Sequence, residues 1–351
     1  MEKVFLQLVR LGIGHSAYIN PDQKIEWYTI EDLASQHGLL GVIVDGIDNL
    51  REEQRPPKVA KLRWIGETLQ GYEQRYELYR RAIGELAGFY NQHGFHMMVL
   101  KGYACSLNWP KPEHRPCGDI DIWLFGQQKE ADATLEREKG LAIDKSHHHH
   151  TVFYWRDFMV ENHYDFINVH QNKTNAKLEK VLKELGKDDT HSVELYGEKV
   201  YLPSANLQAL FLLKHTMLHF VLGEFSLRQL LDWAFFVEKH EKEVDWKWLL
   251  EVLEEYGMMP AFNIFNAICV EDLGFDASLF HQVQFSPALK NKVLDEIMNP
   301  KFDSNDPERL VARLIYKYKR WKGSGWKYDL CYDESHWSSF WNGVWSHIIK
   351  P

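Results

Sequence analysis

The sequence predicts an α+β protein in which a short strand-rich core lies between two helical regions. Three observations support this prediction. Apolar residues recur at helical spacing over residues 1–94. Short apolar or alternating runs, bounded by polar residues or glycine, fill residues 95–175. Helical spacing then returns over residues 176–351, so we predict an N-terminal helical region, an α/β core and a C-terminal helical domain with these boundaries.

The composition limits the classes of function. The 351 residues are 45% hydrophobic, which is enough for one large core or two to three small ones, and the net charge of −9 argues against broad nucleic-acid binding. We find neither a signal-peptide pattern nor a run of about 18 apolar residues, so we expect no membrane span. The four cysteines lack CxxC spacing, which favours a reducing, cytoplasmic location.

The N-terminal third predicts helices only. Residues 31–50 have the pattern of short helices. Residues 56–94 start at two prolines and end at a glycine, which predicts one long helix or a kinked pair.

The pattern changes at residue 95, where strands and helices alternate. The apolar run 95–102 stops at glycine, as a strand does, and the run 119–125 alternates with period two. In order, we predict a strand over 95–102, a short helix over 103–109, a strand over 119–125, a helix over 129–140, and strands over 150–155 and 159–171.

The remaining chain predicts a helical bundle. Residues 193–203 are typical of a hairpin or an extended crossover, and Ser204 is a suitable N-cap for the helix that follows. The predicted helices cover 175–186, 204–223, 226–240, 245–257 and 259–274.

The stretch "RPCGDIDIW", residues 115–123, places Asp119 and Asp121 two apart on a predicted strand, where they share one face. Adjacent carboxylates repel, and burying them costs several kcal/mol unless a cation is present. Mg²⁺, which prefers oxygen ligands and substrate phosphates, is the expected partner. The alternative is an exposed edge strand whose aspartates are solvated.

A series of motifs resembles the DNA polymerase beta-like nucleotidyltransferase superfamily, and more narrowly a family of uncharacterised bacterial nucleotidyltransferases. The resemblance covers about residues 90–280. The motifs that carry it are Leu100-Lys101-Gly102, Arg115, Gly118-Asp119-Ile120-Asp121-Ile122, a strand ending in His170, Lys214-His215, and the helical segment with Arg228 and Asp232.

The resemblance implies a small mixed sheet flanked by helices. It also implies that Asp119 and Asp121 hold Mg²⁺, or Mn²⁺, which bridges the phosphates of a nucleoside triphosphate. An acceptor hydroxyl then attacks the α-phosphate and pyrophosphate leaves.

Four further residues are assigned to the nucleotide. Lys101 and Gly102 end a strand, where glycine permits close backbone approach to phosphate. Arg115 is expected to contact phosphate or to anchor the strand. Lys214 is expected near the triphosphate tail, with a surface or inter-domain ion pair as the alternative.

The family pattern expects a third carboxylate two residues before the strand's histidine. Here that position is Asn168, which precedes His170. An amide can coordinate a metal but cannot accept a proton, so His170 is the candidate base or hydrogen-bond donor. Asp165 and Glu161 alternate onto the opposite face, and which of the three side chains completes the site stays open.

The run of four histidines within residues 146–150 suggests a metal site at first sight. On a strand the four would alternate between faces, so at most two converge. No acidic or cysteine partner has suitable spacing, and we expect an exposed polar edge or loop rather than a zinc site.

Together these patterns predict a Mg²⁺-dependent nucleotidyltransferase that transfers a nucleoside monophosphate to an acceptor hydroxyl. A small-molecule, sugar or protein acceptor is favoured over nucleic acid because the chain is acidic. The competing hypothesis, motivated by Asn168, is a degenerate fold that binds a nucleotide or a partner without turnover.

Overall fold

The computed structural model describes residues 1–16, 18–20, 22–170, 173–281, 285–301 and 309–337. Residues 338–351 of the predicted C-terminal domain thus lie outside the described part. The chain divides into two units. Unit 1 consists of Met1–Gly71, Leu213–Glu241 and Trp246–His336, and the described part of unit 2 consists of Tyr72–Leu212, Lys242–Asp245 and Trp337.

Unit 2 contains a sheet whose described strands number six, which confirms the α+β class. The strands are β1 (Met98–Val99), β2 (Ile120–Trp123), β3 (His150–Trp155), β4 (Phe158–His163), β5 (Ser192–Leu195) and β6 (Glu198–Tyr201). Their order across the sheet is β3-β4-β2-β1-β6-β5. The sheet therefore extends past residue 175 and takes in the hairpin that the sequence left as one of two alternatives.

Helices make up most of the rest. They are α1 (Glu2–Gly12), α2 (Trp27–His37), α3 (Leu40–Gly46), α4 (Lys58–Glu67), α5 (Arg75–Gln92), α6 (Lys101–Ser106), α7 (Gln128–Lys139), α8 (Lys173–Leu185), α9 (Ala205–Leu222), α10 (Leu227–His240), α11 (Trp246–Glu255), α12 (Met259–Glu271), α13 (Pro287–Met298), α14 (Leu310–Gly323) and α15 (Gly325–Cys331). None of these described helices combines the length and the apolar character that a membrane crossing needs.

Residues 68–74 form a π-helical segment between α4 and α5. Such segments interrupt the regular i→i+4 hydrogen bonding of an α-helix. The helical stretch predicted over 56–94 therefore consists of two α-helices, which corresponds to the kinked pair rather than to one long helix.

The sheet is mixed, as the resemblance implies. Strand β2 runs parallel to β4 with Asp121 opposite Glu161, whereas β3 and β4 form an antiparallel hairpin with His150 opposite His163. Strand β1 pairs antiparallel with β2 and parallel with β6. Because β2 lies between β1 and β4, its side chains have neighbours on both sides.

The core of unit 2 forms where α5 and α7 pack on the sheet. Its buried members include Tyr79 and Ile83 of α5, Leu135 of α7, Ile120 of β2 and Val160 of β4. Ile120 and Val160 alternate with charged neighbours along their strands, so one face of β2 and β4 is apolar and the other carries charge.

The predicted strand over 159–171 is wrong beyond His163, because residues 164–170 form bends and a turn. The reason lies in α8, where the carboxylate of Glu179 accepts hydrogen bonds from the backbone N–H groups of Phe166 (2.9 Å) and Ile167 (3.0 Å). Those N–H groups are thereby removed from strand pairing.

Candidate active site

The candidate site lies on the charged face of β2 and β4. Asp121 and Glu161 are register partners on these parallel strands, so their side chains project from the same face side by side. His163, two residues after Glu161, shares that face. One ligand atom of each of these three side chains lies within 4.8 Å of the others.

Asp121 is almost completely buried, with 2% of the residue exposed. Its Oδ1 lies 2.6 Å from Nζ of Lys101 and 3.0 Å from Nε2 of His163. Burial alone would raise the pKa of Asp121, but these two neighbours outweigh it and hold that pKa far below its ordinary value.

Lys101 reaches Asp121 because of how β1 ends. The N–H of Leu100 donates to the carbonyl of Asp121 (2.9 Å), which fixes the start of α6 beside β2. The ammonium also lies 5.6 Å from the centre of the Phe211 ring. Burial alone would lower the pKa of Lys101, but the charges of Asp121 and Glu161 outweigh this effect. The net shift of the pKa is upward, so the group stays charged.

His163 connects the two carboxylates. Its Nε2 lies 3.5 Å from Glu161 Oε2 in addition to the contact with Asp121, and its Nδ1 lies 3.2 Å from the carbonyl of Asp165. Burial would lower the pKa of His163, yet the hydrogen bonds to Asp121 and Glu161 raise it. Conversely, burial would raise the pKa of Glu161, but the hydrogen bond with His163 contributes to a net lowering.

Asp119, immediately before β2, adds another carboxylate to those of Asp121 and Glu161. The charge of Asp121 is the largest cause of its raised pKa, followed by burial, and Lys101 offsets only part of this. Three carboxylates therefore share two cationic groups, and one negative charge remains uncompensated. Clustered carboxylate oxygens with surplus negative charge fit a hard divalent cation such as Mg²⁺.

Gly102 lies close to the Tyr79 hydroxyl and to the backbone of Asp119. The hydroxyl of Tyr79 donates to the carbonyl of Asp119 (2.8 Å), and a Cβ on residue 102 would overlap that hydroxyl. Glycine is thus required by the close approach of a side chain that positions Asp119. A contact between Gly102 and phosphate stays a prediction.

Comparison with protein-family models matches residues 23–273 to a family described as uncharacterised nucleotidyltransferase. The match spans well over half of the chain. The chain belongs to this nucleotidyltransferase family.

A solved structure, that of an antigenic nucleotidyltransferase-like protein from Paracoccidioides brasiliensis, is also similar to the chain. The identity is 14%, the similarity covers 46% of this chain and 75% of the other, and the TM-score is 0.33. A score of this size does not establish a shared fold. Comparison with curated proteins finds no match.

In this member of the family, Asn168 and His170 lie in the turn after β4, not on the strand where the sequence prediction put them. The side-chain oxygen of Asn168 accepts the N–H of His170 (2.9 Å). Asp165 forms an ion pair with Lys183 of α8. Of the three side chains left open, Glu161 is the one that the register sets beside Asp121.

Arg115 is buried in the segment that leads into β2, and its Nη1 donates to the carbonyl of Pro116 (3.1 Å). Lys214 lies in unit 1, where it is buried with Nζ 4.0 Å from the centre of the Tyr332 ring, and burial lowers its pKa to about 7. Roles for either residue at a triphosphate stay predictions.

The family's expected spacing, a carboxylate two residues before the histidine of the strand, is met by Glu161 and His163. Sequence reasoning applied that spacing to His170 instead, seven residues later. The alternating run "FMVENH", residues 158–163, was the signal available, since Glu161 and His163 share one parity while the apolar Phe158 and Val160 share the other.

Proposed function

We propose that the chain is a Mg²⁺- or Mn²⁺-dependent enzyme that transfers a nucleoside monophosphate from a nucleoside triphosphate to an acceptor hydroxyl, releasing pyrophosphate. The observation that carries the proposal is the register of Asp121 with Glu161 on parallel strands, with Asp119 two residues before Asp121. Family membership supports a nucleotidyltransferase role in general.

Asp119, Asp121 and Glu161 would hold the metal. The metal would neutralise charge on the triphosphate and on the attacking and leaving oxygens. The hard oxygen donors and the surplus negative charge of the site support this assignment.

The reaction forms a bond between the acceptor oxygen and the α-phosphorus and breaks the bond to the β-phosphate bridging oxygen, which leaves with its electron pair as pyrophosphate. We assign the hydroxyl proton to Glu161, whose lowered pKa keeps it ionised at neutral pH. Lys101 would balance the charge of Asp121 or of the incoming phosphates.

The acceptor is proposed to be a small molecule, a sugar or a protein side chain. The net charge of −9 supports these over nucleic acid, whose backbone would be repelled.

The proposal is tested on Asp119→Asn. This variant relieves the repulsion that raises the pKa of Asp119, so it should fold at least as stably as the wild-type protein. Calorimetric titration with a non-hydrolysable triphosphate should nevertheless show Mg²⁺-dependent binding weakened by about 100-fold.

The matched control is Asp132→Asn, which changes a buried aspartate of α7 in the same unit. It should retain Mg²⁺-dependent binding within about threefold of wild type. Wild-type binding by Asp119→Asn would contradict the metal assignment.

A second candidate is a nucleotide-binding module without turnover. The observation that favours it is that Lys101 and His163 already compensate the charge of Asp121. Binding that depends on Asp119 and Mg²⁺, without pyrophosphate release across a panel of small-molecule, sugar and protein acceptors, would favour this module. Pyrophosphate release that Asp119→Asn abolishes would favour the enzyme.

A further inference from the structure

A second group of ligand atoms lies next to the carboxylates and consists of His149, His150 and His163. One ring nitrogen of each lies within 4.8 Å of the others. The ring centroids are 4.3 Å apart for His149 and His150, 5.7 Å for His149 and His163, and 5.3 Å for His150 and His163. The expectation that no acidic residue is placed to partner the histidine run is wrong, because Glu161 of β4 lies with Oε1 3.8 Å from His150 Nε2.

The β3–β4 hairpin brings these rings together. His150 and His163 are opposite each other in its register, so they project from one face as a cross-strand pair. The carbonyl of His149 accepts the N–H groups of Tyr164 (3.0 Å) and Asp165 (3.1 Å), which fixes the residue that precedes β3. The three positions are therefore set by backbone hydrogen bonds.

Two of the rings carry a hydrogen-bonding deficit. Among the described residues, the Nδ1 atoms of His149 and His150 are buried and have no hydrogen-bond partner. His150 is 7% exposed. An unsatisfied buried polar atom is unfavourable, so two on adjacent residues point to a ligand.

The third ring is oriented as a metal ligand usually is. A carbonyl only accepts, so the contact between His163 Nδ1 and the Asp165 carbonyl places a proton on Nδ1. A metal ion would therefore bind at Nε2, where it would displace the proton that this nitrogen shares with Asp121. Metal-binding histidines commonly donate their second ring N–H to such a group. Glu161 supplies an oxygen nearby, with Oε1 3.8 Å from His150 Nε2 and Oε2 3.5 Å from His163 Nε2.

We propose that His149, His150 and His163, with Glu161 as an oxygen ligand, form a binding site for a transition-metal dication of the Zn²⁺ class. Imidazole nitrogens select such ions over Mg²⁺, which prefers oxygen. Ligand nitrogens of a tetrahedral zinc site lie about 3.3 Å apart, given bonds of about 2.0–2.1 Å, so side-chain rotations bring the ring nitrogens into position. The site shares Glu161 with the proposed Mg²⁺ site, but its test needs neither a nucleotide nor turnover.

The test uses the full chain without an affinity tag and titrates it with Co²⁺, whose visible absorption reports a nitrogen-ligated site of low coordination number. Zn²⁺ is then added as the competitor. The wild-type protein should bind one Co²⁺ that Zn²⁺ displaces. The variant His149→Gln/His150→Gln should weaken Zn²⁺ binding by about 100-fold.

The matched control is His147→Gln/His148→Gln, which removes the same number of histidines from the same run. It should keep Zn²⁺ affinity within about threefold of wild type. Equal losses in the two double variants would mean that the run binds metal as an unstructured tag does, and would overturn the proposal.

His163→Gln, outside the run, should also lose the Co²⁺ absorption. Circular dichroism checks that each variant is folded. If His163→Gln is unfolded because Asp121 loses a partner, the two double variants decide the question alone. A folded His163→Gln that binds Co²⁺ and Zn²⁺ like the wild-type protein contradicts the site.

Discussion

Two buried aspartates of unit 2, Asp121 and Asp132, show what separates a candidate site from a structural polar network. Burial alone would raise the pKa of each. Asp121 meets Lys101 and His163, and its pKa is lowered. Asp132 meets Asn162 and Thr151, which donate neutral hydrogen bonds of 2.8 Å each, and its pKa remains raised.

The two groups lie on opposite faces of β4, because Asn162 stands between Glu161 and His163 in the strand. On one face, neutral donors satisfy Asp132 and tie α7 to the sheet. On the other, three carboxylates and two cationic groups leave a charge uncompensated. Burial and hydrogen bonding are common to both faces, so the surplus of like charge is what points to a ligand.

The largest effect on stability is expected from two separate variants, each of which removes the buried aspartate of one face. Asp121→Ala removes the carboxylate that contacts both Lys101 and His163 directly and leaves them only the weaker contacts with Glu161 and Asp119, which should cost about 3–5 kcal/mol of unfolding free energy. Asp132→Ala leaves two neutral donors unpaired and should cost about 1–3 kcal/mol. Urea unfolding of both variants measures the difference.

Lys101→Met in the Asp121→Ala background is the control, since it removes the buried ammonium that has lost its direct ion pair and should restore part of the loss. Equal costs for the two aspartates, or no recovery in the double variant, would break the distinction between the faces.

Glu179, a buried carboxylate with mainly neutral partners, should make the free energy of unfolding depend on pH. Burial raises the pKa of Glu179 from 4.5 to about 7, although the N–H groups of Phe166 and Ile167 oppose the shift. The folded state then binds the proton more tightly than the unfolded state. The contribution of Glu179 to stability is therefore complete below pH 4.5 and is lost as pH rises to about 7.

Relative to Glu179→Gln, which does not titrate, the wild-type protein should lose about 3 kcal/mol of unfolding free energy across this window. Urea unfolding of both proteins at several pH values provides the measurement. A difference between the two that stays constant with pH would mean that the pKa of Glu179 is not raised.

A smaller loss of stability is expected from a substitution at Gly102, next to Asp119. Gly102→Ala places a methyl group against the Tyr79 hydroxyl that holds the Asp119 carbonyl, and should cost about 2 kcal/mol. Gly118→Ala is the matched control, because a Cβ there meets nothing within 4 Å. Thermal unfolding of the pair compares them, and a similar loss in both variants would show that the contact with Tyr79 is not the cause.

Much of the fold could be predicted from the sequence because its signals are local. The alternation of "DIDIW" identified β2, and the helical spacing of residues 129–140 identified α7. The end of β4 could not be predicted in this way. It depends on Glu179, which lies on a later helix and takes the N–H groups of Phe166 and Ile167 away from the sheet.

The same limit affected the site. Asp119 and Asp121 were identified from their spacing in one short segment, and their roles at a metal stay predictions. The choice of Asn168 depended on which histidine belongs to the strand, and taking His170 rather than His163 left out Glu161, which we propose as a metal ligand. The contact between Lys101 and Asp121 depends on pairing between β1 and β2, which no local pattern reports.

The most direct test of the proposed metal site compares Glu161→Gln with Asn168→Ala. Mg²⁺-dependent binding of a non-hydrolysable triphosphate is measured by calorimetry for both variants and for the wild-type protein. We predict that Glu161→Gln weakens this binding by about 100-fold, whereas Asn168→Ala stays within about threefold of wild type. Wild-type binding by Glu161→Gln, together with loss of binding in Asn168→Ala, would contradict the assignment of Glu161 as the third carboxylate.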